Sequence, residues 1–441
     1  MKILIVGQKQ LQDQVAEVFS NIRLEIRTVS STAKLSSFLA TKRWDAVLLD
    51  DDFFKSHEDK MAPVLKQIHR HKKPAVVVSS NRDFSHVLKM KNLGISDYIL
   101  KPFNEREFVM RVNAVIEKKT RIACIGGGTG LFHLLIGLKN IPQALLTSVV
   151  SMSDDGGSSG KLSQSLGLLP PGDIRRSLVA LSNAPDIMNQ IMQYRFEKKG
   201  ELEGHSFGNI FLAALAQVKG TMSEAVRCLS DILYLQGIVL PASGTITKLV
   251  ARFEDGTLVK GESQIDRCVG RAISARITDL YHEPEAQADA DAAAAILFSD
   301  YITIGPGDLF TSIVTNLAIK NIREAVVNSH AKKIYVCNLM TKPGETAGFD
   351  AADHVSEIVK YLAADCLDFV LISNTKLPKK AISDYFKKDQ APVNLKNRDS
   401  VQSLTRAKIV LADVGSTDEL VRHDSVHLKN EIEKIIGKSD A

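Results

Sequence analysis

Short, unbroken apolar runs recur along the chain, and each is followed by a stretch long enough for an amphipathic helix. Residues 47–49 (Val-Leu-Leu) and 75–78 (Ala-Val-Val-Val) are the clearest of these runs. Continuous apolar runs of this length are typical of parallel strands that helices cover on both faces. The sequence therefore predicts an α/β fold built from doubly wound parallel sheets.

The first 119 residues contain five such repeats, which predicts a doubly wound (βα)5 unit. Its expected strands are 2–6, 23–28, 45–49, 74–79 and 97–100. The charged segment 117–119 is the expected junction, so we assign residues 1–119 and 120–441 to two domains, the second a single large α/β domain. The strands expected there are 121–125, 145–151, 300–304, 332–338, 368–373 and 408–412, and the helices are 131–139, 208–218, 222–232, 286–298 and 311–319.

Composition narrows the class of protein. The five cysteines are odd in number and lie far apart in apolar surroundings, which favours reduced thiols in a cytoplasmic protein over disulfides or a zinc site. The sequence shows neither a signal peptide nor an apolar run near the roughly 20 residues of a membrane span, so no membrane association is expected. The net charge of +5 is mild for 441 residues, which suits an anionic ligand but does not indicate nucleic acid.

Three polar residues stand at the ends of expected N-terminal strands. Asp50 ends the third strand, Ser79 ends the fourth, and Lys101-Pro102-Phe103 follows the fifth. Over nearly all of residues 1–118 the chain resembles the receiver domain of two-component response regulators. The resemblance implies that Asp50 corresponds to the phosphoacceptor, Ser79 to its hydroxyl partner and Lys101 to the phosphate-sensing lysine.

One part of a receiver is missing from this unit. Receivers have an acidic pair after the first strand to hold magnesium, and this chain has Gly7-Gln8-Lys9 there. The ion normally offsets the repulsion between a phosphoryl group and a carboxylate. Asp51 is not expected to replace the pair, because neighbouring residues of extended chain point in opposite directions. We favour a degenerate receiver used for docking or dimerisation over a working phospho-switch.

A glycine-rich turn follows the first strand of the second domain. Gly127, Gly128, Thr129 and Gly130 separate that strand from a helix, so backbone N–H groups at the helix N-terminus could face a phosphate. The string is neither a dinucleotide fingerprint nor a Walker loop. By itself it is also compatible with a tight turn that binds nothing.

A second turn adds carboxylates. The strand at 145–151 leads into Asp154, Asp155, Gly156, Gly157, Ser158 and Ser159. Paired carboxylates beside such a loop could hold a metal ion or ribose hydroxyls, while the loop N–H groups and hydroxyls face phosphate. Asp154 and Asp155 are therefore the candidates for a Mg²⁺ site and for any catalytic role.

Four further strings carry candidate ligand-binding residues, and at least two of them follow expected strands. Open α/β sheets bind ligands at the carboxyl ends of their strands, so we expect these strings to meet in one site. Their candidate residues are Gly172, Asp173 and Arg175, then His205, Gly208 and Asn209, then Gly305 and Gly307, and finally Asn338, Thr341, Glu345 and Thr346.

From residue 121 to about 430 these strings resemble the family shared by 2-phospho-L-lactate transferase (CofD) and the YvcK-type gluconeogenesis factors. The strings at 154–160 and 170–175 are its most specific part, and the string at 338–346 favours the YvcK side. The resemblance implies a Rossmann-like domain that binds a uridine diphosphate (UDP) sugar. Gly307-Asp308-Leu309-Phe310 departs from the family's usual Gly-Ser-Leu-Tyr, and a fused receiver-like unit is not part of its common architecture.

We therefore expect a regulator that binds a nucleotide sugar, such as UDP-N-acetylglucosamine, rather than an enzyme. It would be linked to carbon metabolism, cell-wall metabolism and cell shape, with a regulatory protein partner and homo-oligomeric assembly. The alternative is a phosphotransferase like the related transferase, using Asp154 or Asp155 with Mg²⁺. A transcription regulator is disfavoured, because the sequence has no helix-turn-helix pattern and no basic recognition helix.

Overall fold

The computed structural model describes residues 1–19, 25–29, 32–41, 44–54, 58–197, 200–266, 275–416 and 420–439. Within these ranges the chain forms two parallel sheets, a three-stranded antiparallel sheet and a two-stranded ribbon. No helix in the described ranges is both long and apolar enough to cross a membrane.

The N-terminal sheet is parallel and has the strand order β2-β1-β3-β4-β5. Its strands β1 to β5 are Lys2–Val6, Glu25–Val29, Ala46–Asp50, Ala75–Ser79 and Asp97–Leu100. The helices α1 to α6 are Lys9–Val18, Thr32–Thr41, Asp51–Phe54, Glu58–Arg70, Phe84–Asn92 and Glu105–Ile116. This order is that of a doubly wound fold whose strand order reverses once, between β1 and β3.

The C-terminal sheet is also parallel and has seven strands among the described residues, in the order β15-β14-β13-β12-β6-β7-β8. These strands, β6, β7, β8, β12, β13, β14 and β15, are Thr120–Gly126, Ala144–Val150, Ile238–Pro241, Tyr301–Ile304, Lys332–Val336, Phe369–Ser373 and Lys408–Ala412. The strand order reverses between β6 and β12, as in Rossmann-like folds.

An antiparallel insert interrupts the C-terminal unit between β8 and β12. Its strands β9, β10 and β11 are Lys248–Phe253, Leu258–Lys260 and Ile277–Glu283. Near the C-terminus, β16 (Gly415–Ser416) pairs with β17 (Arg422–His423). The helices α7 to α13 are Gly128–Leu138, Gly157–Leu166, Gly172–Leu181, Asp186–Gln193, Phe207–Lys219, Met222–Ile232 and Glu262–Asp266. The helices α14 to α20 are Ala290–Leu297, Thr315–Leu317, Lys320–Asn328, Ala351–Leu362, Lys379–Phe386, Arg398–Gln402 and Ser425–Ser439, and a π-helical turn spans Leu309–Val314.

The expected strands are found, but two expected helices are wrong in detail. The alanine-rich helix expected from residue 286 begins at Ala290, because the Asp289 side chain accepts hydrogen bonds from the N–H groups of Asp291 and Ala292. The helix expected at 311–319 is instead the π-helical turn followed by the short α15. The insert was not anticipated, since its strands are only partly buried and carry no motif.

The four cysteines within the described residues are free thiols, as their spacing predicts. Cys124 and Cys337 are buried, and Cys228 and Cys366 are partly buried; all four are free thiols. Cys268 lies outside the described residues. Burial raises the pKa of Cys124 and of Cys337 to about 12, so both are neutral and unreactive at physiological pH.

The two units contact each other directly along α5, β5 and α6. Helix α14 packs against α5 and β5, and one apolar cluster includes residues from both units. The Asn104 side chain donates a 2.8 Å hydrogen bond to Asp231, and Arg106 donates a 2.9 Å bond to the Leu235 carbonyl. The assignment of residues 1–119 and 120–441 to two separate domains therefore stays a prediction.

Candidate functional site

The seven-stranded sheet places two glycine turns on either side of its reversal point. Gly127 and the first residues of α7, including Gly130, follow β6, and the turn after β12 contains Pro306 and Gly307. A Cβ atom at Gly130 would lie 2.6 Å from the carbonyl oxygen of Pro306, so the two turns touch and only glycine fits there. The crevice outside the carboxyl ends of β6 and β12 is the position where open α/β sheets bind ligands.

A carboxylate already lies at the N-terminus of α7. The Gly128 N–H donates to Asp173, and a Cβ atom at Gly127 would lie 2.5 Å from Asp173 Oδ2. Arg176 Nη1 donates a 2.9 Å hydrogen bond to the other Asp173 oxygen. Burial raises the pKa of Asp173 to about 6, although Arg176 opposes the shift. An anion bound at this N-terminus would therefore have to share it with Asp173 or displace it.

Asp154 lies at the N-terminus of α9 in the same way. Its Oδ1 accepts a 3.1 Å hydrogen bond from the Gly156 N–H. Its Oδ2 is 2.3 Å from the position that a Cβ atom at Gly172 would take, and the Ser159 hydroxyl is 2.4 Å from that position. Gly172 is therefore required because two polar side chains occupy the space that any other residue would fill.

Asp155 points away from its neighbour. Its Oδ1 accepts a 2.7 Å hydrogen bond from the Ser263 N–H of α13, and its Oδ2 lies against Gly261. Asp154 and Asp155 thus contact different elements and do not converge on one point. Among the described residues no group of three or more His, Cys, Asp or Glu side chains is arranged to hold a metal ion. The role of Asp154 and Asp155 as Mg²⁺ ligands therefore stays a prediction.

A buried polar network joins α8, α9 and α11. Arg175 Nε donates a 2.8 Å hydrogen bond to Asn209 Oδ1, and Asn209 Nδ2 lies 3.3 Å from the hydroxyls of both Ser158 and Ser159. Ser158 Oγ is also 3.2 Å from His205 Nδ1. Burial, with Arg176 nearby, lowers the pKa of Arg175 to about 10. The network brings the strings around residues 158, 175 and 205 together, as the sequence predicts.

The string at 338–346 lies on the other side of the crevice. Asn338 Nδ2 donates a 2.7 Å hydrogen bond to the Gly307 carbonyl, and the Lys342 N–H donates to Thr346 Oγ1. Glu345 Oε2 accepts hydrogen bonds from the N–H groups of Phe310 and Thr311, in the first turn of the π-helical segment. Glu345 thus occupies the N-terminus of that segment, and its own role as a ligand contact stays a prediction.

Several charged residues at the site were missed from the sequence. Lys342 Nζ lies within 3.0 Å of carboxylate oxygens of Asp266, Asp308 and Glu345. Burial disfavours the Lys342 ammonium, but these carboxylates outweigh burial and raise its pKa. Burial, followed by the charges of Asp154 and Asp173, raises the pKa of Glu262 to about 10. Of these charged residues, only Asp308 was noticed in the sequence, because it replaces the family's usual serine.

The receiver-like residues also meet, at the carboxyl ends of β3, β4 and β5. Lys101 Nζ donates a 2.8 Å hydrogen bond to Asp50 Oδ1 and a 2.9 Å bond to Asp52 Oδ2. Ser79 Oγ donates to Asp51, not to Asp50, at 2.5 Å. The expectation that Asp51 points away is wrong, because α3 begins at Asp51 and the chain is not extended there.

A family model described as 2-phospho-L-lactate transferase CofD matches residues 122–414. A protein named putative gluconeogenesis factor from Thermotoga maritima is 42% identical over 318 residues, which cover 71% of this chain and 99% of that protein. The gluconeogenesis factor of Bacillus subtilis is 38% identical over 310 residues, which cover 70% of this chain and 95% of that protein.

The structural comparison agrees with the sequence matches. A crystal structure of a member of the UPF0052 family from Bacillus halodurans superimposes with a TM-score of 0.67 at 35% sequence identity. The superposition covers 71% of this chain and 99% of that one. The crevice and its six strings lie inside the matched residues 122–414. The chain therefore belongs to the 2-phospho-L-lactate transferase CofD family, together with proteins named gluconeogenesis factors.

Proposed function

We propose that the chain binds a UDP sugar in the crevice between β6 and β12 and acts as a cytoplasmic regulator rather than as an enzyme. The ligand's diphosphate would lie against the N-terminal turns of α7, α8 and α9. In this proposal a partner protein responds to the liganded state, and the regulator assembles as a homo-oligomer. UDP-N-acetylglucosamine is the first ligand to test.

The convergence of three helix N-termini on the reversal point of the sheet carries the proposal. Helices α7, α8 and α9 begin at Gly128, Gly157 and Gly172, and their first turns meet around Asp154 and Asp173. Helix N-termini present free N–H groups and partial positive charge, which favour a diphosphate. The names of the relatives, gluconeogenesis factors, support a regulatory role linked to carbon metabolism.

The positions of the carboxylates favour binding over transfer. A phosphotransferase needs a group that receives the proton of the attacking hydroxyl. Asp154 and Asp155 each accept a hydrogen bond from a backbone N–H and face different elements, so neither is aimed with the other at a common reacting atom. Carboxylates that are held by backbone hydrogen bonds in this way are suited to positioning the turns of a ligand-binding site.

The alternative is transfer of a phospho-group from a nucleotide to an alcohol, since the matching family is described as a 2-phospho-L-lactate transferase. Asp173 is the observation that favours it, because burial raises its pKa to about 6 and a carboxylate with such a pKa suits proton transfer near neutral pH. Incubation with labelled UDP-N-acetylglucosamine and Mg²⁺, followed by chromatography, separates the two functions. Protein-dependent release of UMP, UDP or a phosphorylated acceptor, lost in Asp173→Asn, would favour the transferase.

Binding itself is tested by isothermal titration calorimetry with UDP-N-acetylglucosamine, UDP, uridine and N-acetylglucosamine. We expect the UDP sugar to bind more tightly than UDP, and uridine and the free sugar not to bind. Guanosine diphosphate is a matched control for the base. Binding of guanosine diphosphate without any binding of uridine nucleotides would contradict the proposed ligand.

A further inference from the structure

The turn that carries Asp154 has no secondary structure of its own. Residues 151–155 follow β7 and precede α8, and no helix or strand includes them. Most of the turn is nevertheless buried, with Ser151 4% and Ser153 8% exposed. Its position must therefore be fixed by side chains from other elements, since an irregular buried segment needs partners for its polar groups.

A row of hydroxyl groups runs from this turn to the antiparallel insert. Ser151 Oγ donates to Ser153 Oγ at 3.2 Å, and Ser153 Oγ lies 2.8 Å from Thr315 Oγ1 at the start of α15. Thr315 Oγ1 lies 3.4 Å from Nε2 of His282 on β11. These side chains line one small internal cavity together with Thr247, which precedes β9. The row joins the turn to the insert through the interior.

The partners of His282 define its proton arrangement. Nε2 lies 2.8 Å from the Thr315 carbonyl oxygen, which can only accept, so Nε2 carries the hydrogen. Nδ1 lies 3.0 Å from Thr247 Oγ1 and accepts from that hydroxyl when the ring is neutral. Burial lowers the pKa of His282, which favours the neutral ring. Both ring nitrogens are therefore satisfied, and the ring is held in one orientation.

The insert contacts the same turn a second time, on its other side. The Ser263 N–H of α13 donates a 2.7 Å hydrogen bond to Asp155 Oδ1. Gly261, in the left-handed region at φ +100°, leaves space for Asp155 Oδ2, which lies 2.5 Å from the position of a Cβ atom there. The residues on both sides of Asp154 are therefore fixed by the insert, one through Thr315 and one directly.

We propose that His282 is a positioning residue for the Ser153–Asp155 turn, and that the insert thereby sets the affinity of the crevice for its ligand. The affinity part of this inference rests on the proposed UDP-sugar site. His282 does not reach the ligand in this proposal. It fixes Thr315, Thr315 fixes Ser153, and Ser153 holds Asp154 where it meets Gly172 and the α9 N-terminus.

The experiment compares wild type with His282→Phe, which removes both hydrogen bonds, and His282→Gln, which keeps one donor and one acceptor. Hydrogen exchange in the absence of ligand should become about tenfold faster over residues 151–156 in His282→Phe and return towards wild type in His282→Gln. The dissociation constant for UDP-N-acetylglucosamine should rise about tenfold in His282→Phe and be largely restored in His282→Gln. Thr247→Val should shift both quantities in the same direction by a smaller amount, even if His282→Phe folds poorly.

The outcomes distinguish this inference from the proposed function. Faster exchange spread equally over β6 and β13 would make His282 an ordinary core residue and overturn the inference, as would unchanged exchange at 151–156 in both His282→Phe and Thr247→Val. Absence of UDP-sugar binding in wild type would overturn the proposed function alone, because the exchange measurement needs no ligand. Altered exchange with unchanged affinity would overturn the link between the insert and the ligand.

Discussion

The N-terminal sheet reverses its strand order between β1 and β3, and the C-terminal sheet reverses between β6 and β12. At the first reversal point, side chains of the protein itself fill the space beside the strands. A Cβ atom at Gly7 would lie 2.3 Å from the Asp50 Cβ, and Lys101 bridges Asp50 and Asp52. At the second, a Cβ atom at Gly127 would lie 2.5 Å from Asp173 Oδ2, but α7, α8 and α9 each begin with a glycine.

The two points therefore differ in their helix N-termini: a ligand can closely approach the backbone N–H groups of helices that begin with glycine, whereas α1 and α3 of the N-terminal unit begin at Lys9 and Asp51. In the N-terminal unit the carboxylates contact a lysine, a serine hydroxyl and a histidine of the same chain. Burial disfavours the Lys101 ammonium, but the hydrogen bonds that it donates to Asp50 and Asp52 outweigh burial and raise its pKa, so the lysine is charged at neutral pH. In the C-terminal unit Arg176 pairs with Asp173, whereas Asp154 accepts a hydrogen bond from the Gly156 N–H.

The first prediction tests whether the two units are separable, and it has the largest expected effect. Removing residues 1–119 uncovers α14 and Phe298, which is 1% exposed. Because burial of one such side chain contributes about 1.5–3 kcal/mol and several lose their cover, we expect a loss on the order of 3–5 kcal/mol in unfolding free energy. Affinity for UDP-N-acetylglucosamine should stay within about twofold of wild type.

Chemical denaturation and calorimetry of the 120–441 fragment beside the full chain measure both quantities. The matched control is the same fragment carrying Phe298→Ser. This substitution should restore part of the solubility that is lost when removal of residues 1–119 exposes Phe298, and it should not change the affinity for the ligand. A folded fragment that has lost nucleotide affinity would mean that the N-terminal unit contributes to the crevice. That result would contradict both the domain assignment and the contrast between the two reversal points.

The second prediction concerns the close approach at Gly172. In Gly172→Ala the new methyl group would meet Asp154 Oδ2 at 2.3 Å and Ser159 Oγ at 2.4 Å, so the turn must move. We expect the affinity for the UDP sugar to fall by about a hundredfold, equivalent to about 2.7 kcal/mol. Gly172 is the first residue of α9 and has no positive φ, so alanine suits the backbone there and global stability should change less than affinity.

Gly244→Ala is the matched control, since no atom lies within 4 Å of a Cβ at Gly244. Calorimetry for affinity and thermal unfolding for stability separate the two effects. Unchanged affinity in Gly172→Ala would show that Asp154 does not shape the ligand site. Equal losses in both variants would point to a general effect of the substitution.

The third prediction uses a buried carboxylate at the contact between the units. Burial, followed by the charge of Asp291, raises the pKa of Glu107 to about 7, although Arg111 and Arg227 oppose the shift. The folded state keeps the Glu107 proton up to about pH 7, whereas the unfolded state releases it near pH 4.3. Between these values the folded state binds more protons, so stability falls as pH rises.

Glu107→Gln should therefore reduce the loss of unfolding free energy between pH 5 and 7.5 by roughly 2–3 kcal/mol. Glu105→Gln, on the exposed side of the same helix, is the matched control and should leave the pH dependence unchanged. Urea denaturation at several pH values measures the slope. A slope in Glu107→Gln equal to that of wild type would show that Glu107 is not the buried acid of this interface.

The sequence was sufficient for the N-terminal strands, for six of the seven strands of the C-terminal sheet and for the strings that meet in the crevice, because strand periodicity and glycine turns are local signals. It missed β8 and the insert, and it was insufficient where a contact depends on distant residues. Nothing in the sequence indicates that Arg175 is only 6% exposed and donates a hydrogen bond to Asn209 on α11. Lys342 and Glu262 act through partners on other elements, and no spacing in the sequence reports such pairings.

The last prediction concerns phosphorylation of Asp50, for which we expect no effect at all. Acetyl phosphate with Mg²⁺ should leave Asp50 unmodified, although the resemblance to receivers makes it the phosphoacceptor. Transfer requires a metal ion between the phosphoryl oxygens and the carboxylate, and Gly7 and Gln8 stand where the acidic pair would be. Asp50 is also 3% exposed and already bonded to Lys101, so an incoming phosphoryl group would have to break that bridge. Intact-mass spectrometry of wild type and Asp50→Asn decides this. A phosphoryl adduct in wild type that Asp50→Asn abolishes would show that the N-terminal reversal point does bind a phosphoryl group.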